Sequence, residues 1–169
     1  GFTEYINENW AQTVAISFAT AMLVYGVVCT ISAIRTAVAN KQLANAVSMS
    51  KDAALSRAKE LQQLPSGKRP TMTSAAVDIK SGRLYYGDSG GVLPTNINPV
   101  LKNQMPAVSG TSWAVANCAE FKAVNNALNA GVKLEDLVVT TVRVRTLAIA
   151  PTCKNCQISI QGVLWVVGG

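Results

Sequence analysis

No charged residue occurs between Asn9 and Ile34. That run constrains the chain more than any other feature, because a continuous apolar stretch must find a home out of water. Its centre reads AISFATAMLVYGVVCTISAI, residues 15–34. As a helix, residues 10–34 reach about 37 Å, enough to cross a bilayer. The interspersed Ala, Ser, Thr and Gly permit close helix packing. Three homes are open to it: a resident transmembrane helix, transient membrane insertion or chaperone burial, and an ordinary helix buried in a protein core. Cys29 lies within the run and reads as a small apolar filler. No charged n-region of a cleavable signal peptide precedes it. The chain begins at Gly1 rather than Met, which fits a fragment or a processed piece of a longer polypeptide.

The remaining composition is that of a folded domain. Hydrophobic residues make up 49% of the 169 residues and charged residues 14%, which argues against global disorder. The net charge of +6 suits a polyanion such as nucleic acid or an anionic membrane, or serves solubility alone, since the basic residues form no run. There is no histidine. Ser-His and Cys-His nucleophilic machinery, histidine bases and histidine metal ligands are therefore excluded. The four cysteines, at 29, 118, 153 and 156, are too sparse for a disulfide scaffold.

Residues 35–64 are rich in Ala, Leu, Lys and Gln at helical spacing and predict one or two helices. PSGKRP, residues 65–70, marks a boundary. We therefore divide the chain into a helical segment, 1–68, and a second domain, 69–169. TSAAVDI (73–79) and LYYGD (84–88) read as a hairpin turning at Ser81-Gly82. Residues 89–112 read as a long irregular loop, and 112–132 as a helix stopped by Gly131. A strand over 134–146, a short helix starting in 151–157 and a final strand at 163–167 complete the pattern. This order predicts an α/β fold with helices packed on a mixed sheet.

Two motifs carry chemistry. One is Cys118-Ala119-Glu120 at a helix start, and the other is Pro151-Thr152-Cys153-Lys154-Asn155-Cys156, a P-x-C-x-x-C. A C-x-x-C at a helix start directs two thiolates the same way, toward exposed backbone N–H groups. Alone it could be a redox pair, but a redox pair needs no distant C-x-E. Cys118, Cys153 and Cys156 together supply three thiolates, which leave a zinc ion an open position where water becomes acidic. Glu120 is then placed to move protons. A closed structural site normally takes four ligands, and the remaining cysteine lies far upstream in the apolar run.

On the hairpin AVDIKSGRLYYGDSG, on NCAEFKAVNNAL, on the strand after LEDL and on PTCKNCQ, the stretch from about residue 69 to 167 resembles the bacterial toxin branch of the zinc-dependent nucleobase deaminase superfamily, the YwqJ-like deaminases. The resemblance implies a three-layer cytidine-deaminase-like fold, Zn2+ on Cys118, Cys153 and Cys156, and Glu120 as the proton shuttle. Members more often carry histidine where this chain has Cys118, and an all-thiolate set makes the metal a weaker Lewis acid. Ser89 and Gly90, after the second strand, are candidates to line the pocket. Tyr86, Trp113, Asn117 and Asn155 are candidates to bond or stack on a base, with ordinary packing as the competing role. The resemblance further implies a toxin delivered into the cytoplasm of competing bacteria, where it hydrolyses the exocyclic amine of a base, cytosine first, in DNA or RNA. It implies a cognate immunity protein, and a pre-toxin segment 1–68 whose residues 10–34 meet a membrane or chaperone. The alternatives are a deaminase of free nucleosides or nucleotides, and a membrane-anchored protein with a structural zinc site.

Overall fold

The computed structural model describes the backbone of residues 2–168 and the side chains of residues 20–168. The chain divides into two compact units, Gly1–Lys41 and Gln42–Gly169. A single helix, α1 (Phe2–Gln62, 61 residues), supplies the first unit and opens the second. The apolar run and the polar stretch after it are thus one helix, since no Pro or helix-stopping Gly pair separates them.

In the first unit every described side chain, Thr20 through Lys41, is exposed. Tyr25, Leu23 and Met22 are each more than 70% exposed. By length and composition this part of α1 is apolar enough to cross a membrane, with a mean hydropathy of 1.7 and no burial. Thr30 and Thr36 return their hydroxyls to the carbonyls of Gly26 and Ser32, so both are satisfied within the helix. The expectation of an ordinary helix buried in a core is not met for these residues, and Cys29 is exposed rather than a core filler. Residues 10–19 of the run lie outside the described side chains.

The second unit is an α/β sandwich around a four-stranded mixed sheet of order β2-β1-β3-β4. The strands are β1 (Met72–Asp78), β2 (Leu84–Asp88), β3 (Leu137–Arg143) and β4 (Trp165–Val167). β1 runs antiparallel to both β2 and β3, and β4 lies parallel to β3. Three helices complete it: α2 (Pro99–Gln104), α3 (Ala119–Asn129) and α4 (Lys154–Ser159). Both central strands are buried on both faces, which requires a helical layer on each side.

The end of α1 is one of those layers. Ala46, Ser50, Ala54 and Ala58 recur every fourth residue and are all buried. Such small side chains let the helix approach the sheet closely. Ala54 and Ala58 pack on Ala75 and Val142, and Ala46 packs on Val77 and Val138. Ser50 and Thr140 bring their hydroxyls to 2.7 Å in the middle of this layer, where each would otherwise be unpaired. The compact unit therefore begins well before the proline-glycine stretch at 65–70. On the other face Phe121, Val124 and Leu128 of α3 and Cys156 and Ile160 around α4 pack on Ala76, Leu137 and Val139.

Local differences from the sequence reading have local causes. The loop 89–112 contains α2, because Asn98 caps it by accepting from the Val100 amide and Pro99 occupies its first turn. The helix expected over 112–132 starts only at Ala119, after a 3-10 turn at Val115–Asn117. The strand expected over 134–146 is shorter, with a 3-10 turn at Leu134–Asp136 before it and a reversal after Arg143 through Leu147, whose φ is 59°. The hairpin forms as expected, with Gly82 in the left-handed region at φ 71°.

Candidate metal centre and its cleft

The centre is assembled from the starts of two helices. Cys118 is the extended residue preceding α3, and Cys153 holds the same position at α4. After Arg143 the chain doubles back, with the Ala150 amide donating to the Thr141 carbonyl at 2.8 Å, and this return delivers Pro151–Cys156 beside the first turn of α3. The sulfurs of Cys118, Cys153 and Cys156 all lie within 4.8 Å of one another, and Cys118 Sγ is 3.5 Å from Cys153 Sγ. That is far beyond a disulfide bond, and all three are free thiols.

The donor set fits a zinc ion. Zinc–sulfur bonds of about 2.3 Å at tetrahedral angles place sulfurs about 3.8 Å apart, close to the separation seen. The surroundings act on the three sulfurs unequally. Trp113 Nε1 donates to Cys118 Sγ at 3.2 Å. The Cys153 thiol is held well below its ordinary value by the Cys118 and Cys156 thiols and by the backbone amides of Cys156 and Asn155. The neighbouring Cys153 thiol, with burial, pushes Cys118 up to about 11, and the Cys118 and Cys153 thiols, with burial, push Cys156 higher still. Three thiols so close together need a shared cation to ionise together.

Glu120 stands two residues after Cys118 in the first turn of α3 and is 5% exposed. Burial pushes its carboxyl up to about 7. β2 fixes the helix at this point. A Cβ at Gly87 would overlap the Ala119 carbonyl oxygen and the Ala123 nitrogen, so only glycine permits this approach of strand to helix.

Cys118, Glu120 and Cys153 open on one cleft of about 780 Å³, a size suited to a small molecule. Ser89, Gly90, Trp113 and Asn117 line it too, so the structure brings these four candidates together with the metal cluster. Ser89 Oγ also accepts from the Met72 amide at 2.9 Å. Two other candidates lie elsewhere. Tyr86 pairs with Ala75 on the sheet and does not line the cleft. Asn155 is 1% exposed and its amide is fully engaged. It donates to Ser109 and Thr111 at 2.9 and 2.7 Å and accepts from the Gly110 amide at 2.8 Å. Ser109 in turn donates to the Trp113 carbonyl at 2.7 Å. Asn155 thus ties the loop carrying Trp113 to α4.

Sequence reasoning missed the part of the lining that comes from α1 and the turn after it. Arg57 and Leu61 from the end of α1, with Leu64, Lys68 and Arg69 from the segment after it, face this cleft, as does Thr141 on β3. The four-residue stripe of small residues in α1 was the available signal, since it marks a helix built to touch a sheet. In comparisons with protein families, curated proteins and solved structures, the chain shows no significant match.

Proposed function

We propose that Gln42–Gly169 is a zinc-dependent hydrolytic deaminase of a nucleobase, of the YwqJ-like toxin branch, with a cytidine-deaminase-like fold. The observation that carries this reading is the buried carboxyl of Glu120, which opens with Cys118 and Cys153 on one cleft, where Cys156 completes a three-sulfur cluster. A structural metal site needs neither an acid nor a cleft.

The reaction replaces an exocyclic amine with oxygen. Water adds at the amine-bearing carbon, the C–N bond breaks, and ammonia leaves; nothing is oxidised or reduced. Cys118, Cys153 and Cys156 would hold the zinc, which would supply Lewis acidity that makes water more acidic. Glu120 takes a proton from water, gives it to the adjacent ring nitrogen, and carries the second proton to the departing amine. Burial of Glu120 keeps bulk water from competing for these transfers. Trp113 bonds Cys118 and offers its ring to the cleft, while Leu61, Leu64 and Met72 supply apolar lining for a flat base.

As a toxin, the protein acts in the cytoplasm of a target bacterium and is neutralised by a cognate immunity protein. For the exposed apolar part of α1 we propose burial in a bilayer during delivery, since its length and hydropathy match one. The decisive experiment incubates zinc-loaded protein with single-stranded DNA, duplex DNA, RNA and free nucleosides, then reads ammonia release and base conversion. Conversion of cytosine to uracil is expected. Absence of any conversion across all four substrates, by folded protein carrying one zinc, refutes the reading.

A further inference from the structure

Three cations, Arg57, Lys68 and Arg69, line the cleft beside its apolar residues, and they differ in how their charges are spent. Arg57 is neutralised, with its guanidinium 2.8 Å from Asp88 and 3.4 Å from Glu60. Asp88 is itself fixed by the Thr73 hydroxyl at 2.6 Å. Arg69 has no carboxylate partner among the described residues. One of its terminal nitrogens, Nη2, donates to the carbonyls of Gln62 and Leu64 at 2.6 and 2.9 Å. The Gln62 carbonyl closes α1 and the Leu64 carbonyl lies in the turn just after it, where backbone acceptors lack helical partners. The bonds hold the guanidinium rigidly without cancelling its charge. Lys68, next to it, is exposed and has neither a carboxylate nor a side-chain hydrogen-bond partner among the described residues. Two uncompensated cations, one preorganised and one mobile, therefore border a cleft that also holds Trp113 and Glu120.

We propose that Lys68 and Arg69 form an anion subsite for a phosphate attached to the nucleoside whose base enters the cleft. The inference rests on the deaminase reading for the identity of the base, but the subsite is read by binding alone. Arg69 is the planar, fixed donor suited to phosphate oxygens, and Lys68 adds a point charge that closes on them. A free nucleoside leaves both cations without a partner. The phosphate can belong to a mononucleotide or to the backbone of a strand, and the two share this chemistry.

The test uses the full-length Glu120→Gln chain in mild detergent, zinc-loaded, so that nothing is turned over. Equilibrium dialysis measures the four nucleosides, their 3′- and 5′-monophosphates, and a mixed-sequence single strand of about twelve nucleotides, long enough to cover one binding site. At least about a tenfold tighter binding is expected for one phosphorylated form than for its nucleoside, as one charge-assisted contact supplies. Lys68→Glu should remove most of that preference, and raised salt should do the same. The Lys68 side chain makes no hydrogen bond or ion pair among the described residues, so folding of this variant, checked by its melting curve, should be unchanged. A preference shown by monophosphates assigns the phosphate to a free nucleotide; one shown only by the strand assigns it to the polymer. Equal binding of nucleoside and phosphorylated forms, an unaltered preference in Lys68→Glu, or no binding of any probe overturns the proposal. Base conversion by the wild-type chain is measured separately. Conversion without phosphate preference removes the subsite and keeps the enzyme, and phosphate preference without conversion does the reverse.

Discussion

Removing residues 1–68 should unfold the protein, whereas removing residues 1–41 should not. The shorter chain loses the α1 layer, which covers Ala75 and Val77 of β1 and Val138 and Val142 of β3. Those three valines are 0% exposed in the intact unit. Full burial of a valine contributes about 1.5–3 kcal/mol, so exposing three forfeits about 4.5–9 kcal/mol. A domain of this size has about 5–15 kcal/mol in all, so the loss is comparable to the whole. Hydrogen bonds between α1 and the sheet act in the same direction. Without the helix, Thr140 is deprived of Ser50, the Val144 carbonyl of Gln62 Nε2 at 2.7 Å, and Asp88 of Arg57. Cutting at Gln42 keeps every one of these bonds and removes only exposed surface among the described side chains. Thermal melts by circular dichroism and limited proteolysis of both fragments decide the matter. A 69–169 fragment that melts cooperatively within a few degrees of the 42–169 fragment would refute the argument. It would show that the sheet closes without α1, and that the boundary at 65–70 is a true domain edge.

Glu120→Gln should retain zinc and fold while losing about 10⁴-fold or more in base conversion, because one residue serves several proton transfers; measured zinc content and turnover check both halves. Cys118→Ser should lose zinc and activity together and melt at lower temperature, while Cys29→Ser changes neither, as metal analysis of each variant will show. Zinc affinity of the wild-type chain should fall steadily with falling pH, since three thiols must release protons to bind it, and competition with a chromogenic chelator reads this directly. Gly87→Ala should cost about 1–3 kcal/mol by forcing β2 away from the first turn of α3, seen as a reduced midpoint in urea.

What the sequence reveals and what it conceals follow from the range of the interactions involved. The hairpin, α3, β3, the short α4 and the terminal strand appear in the expected order because each depends on local patterning. The three cysteines converge because the helix starts that carry them are written in the sequence beside them. The role of Asn155 could not be read this way. Its amide is consumed by Ser109, Gly110 and Thr111, more than forty residues upstream, and a loop–helix latch of that kind leaves no mark in either segment alone. The α1 wall of the cleft is harder still. Ala46, Ser50, Ala54 and Ala58 are good helix formers or neutral ones, and the same spacing serves a solvated helix as well as a buried one. The pairing of Ser50 with Thr140 across ninety positions decides between them, and it exists only once the sheet has formed. Proline and glycine at 65–70 mark where a helix stops, which is a statement about backbone conformation. A domain edge is a statement about where buried packing ceases, and here it continues back to Leu43 and Ala46. The cleft straddles the proline-glycine stretch. Its cysteine-side residues lie after that stretch, and Arg57, Leu61 and Leu64 lie before it, so a division there separates two parts of one site.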